Sequence, residues 1–379
     1  MKTRVPLLLS LVFAAGCSDS SVTGPAPLGR VVAVPTVAGA PAATRITVMT
    51  RNLYIGADVD LVIGALLTPD PNDDLAALQV AIATLSTTDF PARAAALADE
   101  IARMRPHVVG LQEVEDLHIH LGALGLPVDI DQNFLEILLD SLAARGVTTY
   151  AVAGQVTNIT ATLFFGAITL FDHEAILVDA DRVAVGPHVI ERNFQHNLPL
   201  SLTGVDFKRG WVQIDARIAG SPGLAITIAN THLESGSGGL FPDLRREQAL
   251  ELVRSVGPAR PAILLGDFND PPGSPMYDVI TGARFTDAWA ALQPGVSGFT
   301  CCEVADLSNG VATLTSRFDD VFMRGIAGPE GSLIGQITIV GDQSSDRVPG
   351  PAYPIWPSDH AGVVASLLVR PAGALAALR

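Results

Sequence analysis

The sequence has few cysteines, almost no lysine and no long apolar run in its interior. Its three cysteines are Cys17 and the adjacent pair Cys301-Cys302. Because neighbouring cysteines rarely reach disulfide geometry, we expect no disulfide framework and predict that the pair serves packing or local loop structure. Beyond the N-terminus no run reaches the roughly 18 apolar residues of a membrane span. This absence argues against a protein with several membrane-spanning helices.

Positive charge is scarce along the whole chain. The 379 residues contain 24 Lys and Arg against 39 Asp and Glu, which gives a formal net charge of −15. Lys208 is the only lysine after residue 2. So acidic a chain gathers cations and repels bulk polyanions. The charge therefore disfavours a tight, non-specific binder of duplex DNA, although a local arginine-lined cleft remains compatible with it. Solubility or adaptation to salt is the simpler explanation of the charge.

The N-terminus has the pattern of an export signal. Lys2 and Arg4 precede an apolar run that ends in Ala14-Ala15-Gly16-Cys17. Cys17 in this setting resembles the lipidation site of bacterial lipoproteins, although Ala14 stands where leucine is commoner. The resemblance implies cleavage before Cys17, acylation of that cysteine and attachment to a bacterial membrane, on the periplasmic or cell-surface side. An ordinary secretory signal with an incidental cysteine is the alternative.

Four segments follow from composition. We predict a signal peptide at 1–16, a lipid anchor and flexible linker at 17–43, one ordered domain at 44–370 and a C-terminal tail at 371–379. Within the domain, strand patterns and helical patterns alternate irregularly: a strand near 45–50, helical sequence over 73–105, a strand at 107–111 and a strand-rich second half. Mixed elements of this kind favour two sheets packed together and covered by helices.

One turn carries unusual chemistry. The apolar run Ala262 to Leu265 is followed directly by Gly266-Asp267-Phe268-Asn269. A short apolar run ending in glycine predicts a buried strand that stops at a turn. The turn then presents a carboxylate and an amide, which are the oxygen ligands and donor that Mg²⁺ and phosphate require.

Five further polar clusters lie next to predicted strands. They are Arg51-Asn52-Leu53, Gln112-Glu113-Val114, Asn230-Thr231-His232, Arg317-Phe318-Asp319 and Ser358-Asp359-His360. A site assembled from the ends of several strands is how open-sheet α/β enzymes usually build their chemistry. The six clusters together therefore predict one composite active site.

In this order, the six clusters resemble the endonuclease/exonuclease/phosphatase (DNase I-like) superfamily, over roughly Arg45 to Arg370. The resemblance implies an α/β fold, a four-layered sandwich of two packed mixed β-sheets flanked by helices. It also implies that residues 44–370 are a catalytic domain that hydrolyses a phosphoester by metal-assisted, in-line attack of water. Mg²⁺ is the expected ion, with Mn²⁺ or Ca²⁺ as alternatives.

The resemblance also assigns roles to individual residues. It makes Glu113 and Asn52 metal ligands, with Asp359 supporting either the metal or the His360 loop. The implied catalytic residues are His232, Asp267, Asn269, Asp319 and His360. In this set Asp319 orients His360, which is a general base or a phosphate ligand, and His232 is a general acid or stabilises the transition state. Asp267 and Asn269 position water and the phosphoryl oxygens.

Three other histidines need separate treatment. His173 occupies the stretch where many nuclease members carry a phosphate-binding arginine, so we predict that it contacts substrate together with Asn230. His118 and His120 mimic a metal-binding pair, but the superfamily pattern does not use them, and we do not expect them to bind a metal.

The substrate stays open at this stage. The acidic composition favours a small-molecule or phospholipid head-group phosphoester over DNA, with a DNase I-like endonuclease and a sphingomyelinase or phospholipase C-like enzyme as alternatives. A non-catalytic surface-binding lipoprotein is the remote alternative. Two apolar stretches, Leu240-Phe241 and Leu163 to Ile168, either line the rim of the cleft or belong to the core. The membrane is the expected partner through the N-terminal lipid, and no protein partner is inferred.

Overall fold

The computed structural model describes residues 44–66, 68, 70–199, 204–221, 224–258, 261–326 and 333–369. The predicted signal peptide, Cys17, the linker and the C-terminal tail lie outside these residues. The strands are β1 Thr44–Asn52, β2 Val108–Gln112, β3 Asp116–His120, β4 Asp129–Asn133, β5 Tyr150–Leu163, β6 Ile168–Asp179, β7 Val183–Val185, β8 Ile190–Asn193, β9 Val205–Phe207, β10 Gly210–Ile218, β11 Ala225–His232, β12 Ala262–Asp267, β13 Thr286–Asp287, β14 Asp319–Arg324, β15 Gly335–Val340, β16 Val348–Pro349, β17 Pro354–Ile355 and β18 Gly362–Val369.

The helices are α1 Val59–Leu66, α2 Pro71–Thr88, α3 Phe90–Met104, α4 Phe134–Ala143, α5 Phe241–Val256, α6 Pro275–Gly282 and α7 Ala288–Leu292. Two mixed sheets organise the strands. The first runs β15-β18-β1-β2-β6-β3-β4, with β5 paired to β6 and β9. The second runs β13-β14-β12-β11-β10-β7, with β8 paired to β10, and β16 and β17 form a separate short pair.

The apolar core lies in three layers between four layers of secondary structure. Side chains from both sheets, such as Ile46 of β1 and Ile228 of β11, share the central cluster. Helices α3 and α4 cover the outer face of the first sheet, where Phe90 and Phe134 are buried. Helices α5 and α6 cover the second sheet, with Leu252 in that cluster. The predicted four-layered α/β sandwich is therefore confirmed.

The helical sequence at 73–105 folds as two helices because the chain turns at Asp89. Asp89 adopts a left-handed conformation (φ 34°), and its side chain accepts a hydrogen bond from the Ala92 N–H at the start of α3. Pro91 then occupies the first turn of α3, where a missing N–H costs nothing. Among the described residues, no helix is both long and apolar enough to cross a bilayer.

The structure excludes one of the two alternatives left open for Leu163 to Ile168, and it differs from the expectation for the cysteine pair. Leu163 to Ile168 is not a core strand: Phe164–Gly166 is a short 3₁₀ turn between β5 and β6, and the Phe165 side chain is fully exposed. Cys301 and Cys302, which we expected to stay unpaired, are joined by a disulfide between adjacent residues.

Candidate active site

Strand register brings the predicted residues to one edge of the molecule. Strands β1 and β2 are parallel, with Asn52 opposite Gln112, so Glu113 follows directly. In the second sheet, His232 of β11 lies opposite Asp267 of β12, and Asp267 lies opposite Asp319 of β14. The site therefore combines the ends of strands from both sheets.

Glu113 and Asn52 form the side of the site that belongs to the first sheet. The Asn52 Nδ2 donates to Glu113 Oε1 at 2.9 Å and to Asp267 Oδ2 at 3.3 Å. Glu113 Oε2 accepts a hydrogen bond from the Ile55 N–H at 2.8 Å. Glu113, Asp267 and Asp359 line the same cleft. These contacts hold hard oxygen donors in place at the edge shared by the sheets.

The donor set fits a divalent cation. Burial, together with nearby carboxylates such as Glu113, raises the pKa of Asp359 to about 7. Burial likewise raises the pKa of Asp267 to about 6. Carboxylates crowded into a buried cleft stay ionised at neutral pH most readily when a cation lies among them. Oxygen ligands of this kind suit Mg²⁺, Mn²⁺ or Ca²⁺.

His360 is held by carboxylates. Its Nδ1 lies 2.7 Å from Asp319 Oδ2 and 3.6 Å from Asp267 Oδ2. Because a carboxylate accepts, Nδ1 carries the proton, and the ring lines the cleft. Burial alone lowers the pKa of His360, but Asp319, Asp267 and Asp359 raise it well above its ordinary value. His360 is thus a cationic group aimed at the place where an anionic substrate would bind.

His232 lies on the other side of Asp267, with its Nε2 3.6 Å from Asp267 Oδ2. Its Nδ1 lies 3.2 Å from the Arg209 guanidinium. A guanidinium only donates, so Nδ1 accepts and Nε2 carries the proton. Burial, then the charges of Arg209 and His360, lower the pKa of His232 well below its ordinary value. His232 is therefore neutral and offers an N–H donor to the cleft.

The Gly266–Asn269 turn positions Asp267. Asp267 Oδ1 accepts the Asn269 backbone N–H at 2.9 Å, and the Asn269 amide donates to the Leu233 carbonyl at 3.0 Å. A side chain at Gly266 would place its Cβ 2.2 Å from the Thr231 carbonyl oxygen, so only glycine allows β11 and β12 to approach here. Asp267 Oδ2 is left facing Asn52, His232 and His360.

Asn230 does not face the cleft. Its side chain is fully buried between the sheets. Its amide donates to the carbonyls of Leu111 at 2.8 Å and Ala175 at 3.1 Å, and its oxygen accepts from Gln112 at 2.5 Å. The predicted substrate contact does not fit this position, because these protein groups already occupy the amide. Asn230 instead joins the two sheets.

His173 is also placed differently from the prediction. Its Nδ1 contacts the Val114 carbonyl at 3.0 Å, whereas the preceding residue, Asp172, lines the cleft. Alternate residues of a strand face opposite sides, so β6 directs Asp172 and Glu174 to the same face and His173 away from it. The alternation Asp-His-Glu was the only cue in the sequence.

A buried charged network that no sequence pattern indicated lies beside the site. Arg209 lies 4.0 Å from Asp172 and 3.5 Å from Glu234. Burial raises the pKa of Glu115 and of Glu174 well above the ordinary value. Arg209 thus supplies a fixed positive charge that, together with the larger effect of burial, lowers the pKa of His232. The sequence around Lys208-Arg209 has no pattern that predicts a position for Arg209 beside His232.

The cleft has a volume of about 310 Å³. Its polar floor carries the groups described above, and its wall is apolar, lined by Ile55, Val59, Ile63, Leu170 and Phe207. Cys302 lies at the rim, with its sulfur 3.9 Å from His360 Nε2. A substrate with both an anionic and an apolar part matches this division.

Three comparisons place the fold among known proteins. A family model described as the Endonuclease/Exonuclease/phosphatase family matches residues 82–360. The endonuclease/exonuclease/phosphatase from Beutenbergia cavernae superposes with a TM-score of 0.53 at 17% identity, over 86% of this chain and 72% of that one. The protein of the same description from Bacteroides vulgatus gives 0.51 at 17% identity, over 86% of this chain and all of that one.

A curated relative matches over a shorter stretch. Nocturnin of Drosophila melanogaster is 40% identical over 79 residues, which are 19% of this chain and 12% of nocturnin. The match therefore spans about an eighth of that relative's length.

Proposed function

Because the chain belongs to the endonuclease/exonuclease/phosphatase family, whose members hydrolyse phosphoesters, we propose that it is a Mg²⁺-dependent phosphodiesterase or phosphatase. One observation carries the proposal. Asp267 Oδ2 lies 3.3–3.6 Å from Asn52 on one side and from His232 and His360 on the other. A single carboxylate thus joins the oxygen-rich pair Glu113 and Asn52 to a neutral donor and a cationic imidazole.

The cleft residues have distinct roles in the in-line displacement. Glu113, Asn52 and Asp359 would hold the divalent ion, which would supply positive charge to the phosphate and to the leaving oxygen. His360, kept cationic by Asp319, binds a phosphoryl oxygen. The His232 Nε2–H donates to a second oxygen as charge develops there, which favours transition-state stabilisation over proton transfer for this residue.

Asp267 is the group that orients and deprotonates the attacking water. Its Oδ1 is fixed by the Asn269 N–H, and its Oδ2 faces the cleft. A raised pKa near 6 makes it a better base than an ordinary carboxylate, yet it stays largely ionised at neutral pH. The Asn269 side-chain amide donates one hydrogen to the Leu233 carbonyl, and its second hydrogen can orient the phosphate.

We propose a small phosphoester or a phospholipid head group as substrate, ahead of nucleic acid. The net charge of −15 opposes binding of a long polyanion. The apolar wall of the cleft favours an organic or acyl substituent beside the phosphate. A sphingomyelinase or phospholipase C-like activity and a DNase I-like nuclease are the two alternatives that the assay below separates.

We also propose that the enzyme is exported and anchored to a bacterial membrane through acylated Cys17. The export pattern of residues 1–16 and the cysteine that follows it support this localisation. Mass spectrometry of the mature N-terminus is the test. An acylated N-terminal Cys17 is expected, and an unmodified N-terminus at another residue would contradict the anchor.

A substrate panel tests the activity. Bis(p-nitrophenyl) phosphate, p-nitrophenyl phosphate, sphingomyelin and plasmid DNA are each incubated with Mg²⁺ or with EDTA. We expect the enzyme to hydrolyse at least one of these substrates in Mg²⁺, and we expect EDTA to abolish that hydrolysis. Glu113→Gln should lower kcat/KM by about 100-fold or more, since it removes a charged metal ligand. Glu136→Gln, on the exposed surface of α4, is the matched control and should leave kcat/KM unchanged. Turnover that survives EDTA or Glu113→Gln would contradict the proposal.

A further inference from the structure

The hairpin of β3 and β4, at the edge of the first sheet, carries two histidines among three aspartates. His118 and His120 are two residues apart in β3, so their side chains share one face. Strand pairing places Asp131 opposite His118 and Asp129 opposite His120, and Asp116 begins β3. We call these five residues the edge cluster. It is partly or fully exposed and separate from the cleft.

One aspartate oxygen lies between the two rings. Asp131 Oδ1 is 2.5 Å from His118 Nδ1 and 3.2 Å from His120 Nε2. One ligand atom from each of His118, His120 and Asp131 lies within 4.8 Å of the other two. Four ligands about 2.0–2.1 Å from a tetrahedral metal stand about 3.3 Å apart, so a small side-chain adjustment would let all three atoms bind one ion.

The other nitrogen of each ring also meets a carboxylate. His118 Nε2 is 3.2 Å from Asp116 Oδ1, and His120 Nδ1 is 2.5 Å from Asp129 Oδ1. Metal-binding histidines usually donate their second ring N–H to a carboxylate, which fixes the tautomer and the ring orientation. An imidazolium donates to carboxylates on both sides, whereas a neutral imidazole has one proton and leaves the nitrogen on the Asp131 side free to bind a metal. A metal ion on the Asp131 side would satisfy both nitrogens of both rings.

We propose that His118, His120 and Asp131 bind a transition-metal ion of the Zn²⁺ class, with Asp116 and Asp129 orienting the two histidines. Imidazole nitrogens favour Zn²⁺, Ni²⁺ and Cu²⁺, whereas the oxygen-rich cleft favours Mg²⁺. The sequence offered only the two histidines, and β4 supplies the carboxylates that complete the set. The ion ties β3 to β4 at the sheet edge and stabilises the folded state, because the unfolded chain lacks the preformed ligand geometry.

Zn²⁺ titration tests the edge cluster. Wild type and Glu113→Gln are treated with EDTA, desalted and titrated with Zn²⁺ by calorimetry in excess Mg²⁺. The excess Mg²⁺ and the Glu113→Gln variant distinguish Zn²⁺ binding at the edge cluster from binding in the cleft. We expect one Zn²⁺ site that is retained in Glu113→Gln, and Zn²⁺ binding at this site should raise Tm. His118→Gln and His120→Gln should each weaken it by about 100-fold, and Asp129→Asn by about 10-fold.

A matched surface histidine provides the control. His196 is about as exposed as His120 and contacts one carboxylate, Glu251, at 2.6 Å, so His196→Gln should leave Zn²⁺ affinity unchanged. With Co²⁺, wild type should show visible absorption typical of imidazole ligands, and His120→Gln should lose it. The proposal would be overturned if Zn²⁺ affinity were unchanged in His118→Gln and His120→Gln, or if His196→Gln lost as much affinity as they do. It would also be overturned if Glu113→Gln bound no Zn²⁺.

Discussion

At the scale of single residues, two histidines of the cleft take opposite protonation states around one carboxylate. His232 and His360 both lie 3.6 Å from Asp267 Oδ2. Arg209 beside His232 favours the neutral ring, whereas Asp319 beside His360 favours the cation. Such a division of identical side chains is how one site provides both a neutral donor and a fixed positive charge.

A third histidine, His107, makes folding stability depend on pH. The His107 Nδ1 accepts the Thr47 N–H at 3.0 Å, which pairs the start of β2 with β1. Burial, and then the charge of Arg182, lower the pKa of His107 from 6.5 to about 4. Above pH 6.5 the ring is neutral in both states and contributes no pH dependence. Between pH 6.5 and 4 the unfolded chain binds a proton that the folded chain does not, so the free energy of unfolding falls as pH falls.

His107→Asn should remove that acid sensitivity while keeping an acceptor for Thr47. We expect the loss of unfolding free energy between pH 7.5 and pH 5 to shrink on the order of 1 kcal/mol, a modest value because solvent screens the partly exposed ring. Urea unfolding at both pH values is the measurement, with the exposed His188→Asn as control. Equal losses in wild type and His107→Asn would contradict the expectation.

At the scale of elements, one buried ion pair fastens helix α3 to strand β1. Arg51 Nε lies 3.0 Å from Glu100 Oε2, and Arg51 Nη2 lies 3.1 Å from Glu100 Oε1. Both side chains are buried, and Arg51 also donates to the His360 carbonyl oxygen. The pair therefore connects the outer helix to the loop that carries a cleft histidine.

Glu100→Ala should lower the free energy of unfolding by about 3–5 kcal/mol, because it leaves the Arg51 charge buried without a partner. The double variant Arg51→Met/Glu100→Leu should recover most of that stability, since no buried charge remains. It should still lose activity, because the His360 carbonyl loses its donor. Urea unfolding and kcat/KM for all three proteins test this separation. A double variant as unstable as Glu100→Ala would show that the charge is not the cause.

At the scale of the whole molecule, the active site depends on the spacing between the two sheets. Gly110 of β2 faces Asn230 of β11, and a Cβ at Gly110 would lie 2.3 Å from Asn230 Oδ1. Asn230 also bonds the Leu111 and Ala175 carbonyls across this interface. Glu113 follows Gly110 by three residues and His232 follows Asn230 by two, so this contact lies close in the chain to both sides of the cleft.

Gly110→Ala should push the sheets apart and cost about 1–3 kcal/mol of stability, in the range of overpacked cores. Activity should fall further than stability explains, because the metal-binding residues and His232 belong to different sheets. Thermal unfolding and kcat/KM measure the two effects. Gly122→Ala is the control, since a Cβ there meets open space. Equal changes in both variants would exclude the inter-sheet contact as the cause.

The helices, the strands and the polar groups at their ends could be predicted from the sequence better than the contacts between them. The clusters at Asn52, Glu113, His232 and Asp267 were found because each follows an apolar run, a signal local in the chain. Arg209 was missed because its importance comes from strand pairing that places it beside His232. Asn230 and His173 lie away from the cleft for a related reason: local pattern locates a residue on a strand, but its neighbours decide whether it faces the cleft.

The sequence by itself determined the α/β class, the strand ends that carry polar groups and the acidic charge, because periodicity and composition are properties of short segments. Only the tertiary structure decided that Asp267 is shared by two histidines, that those histidines differ in charge, and that His118 and His120 meet Asp131. Each of these facts depends on atoms brought together from segments distant in the chain or across a strand pair. Electrostatic states are set by such neighbours and by burial, which the order of residues does not display.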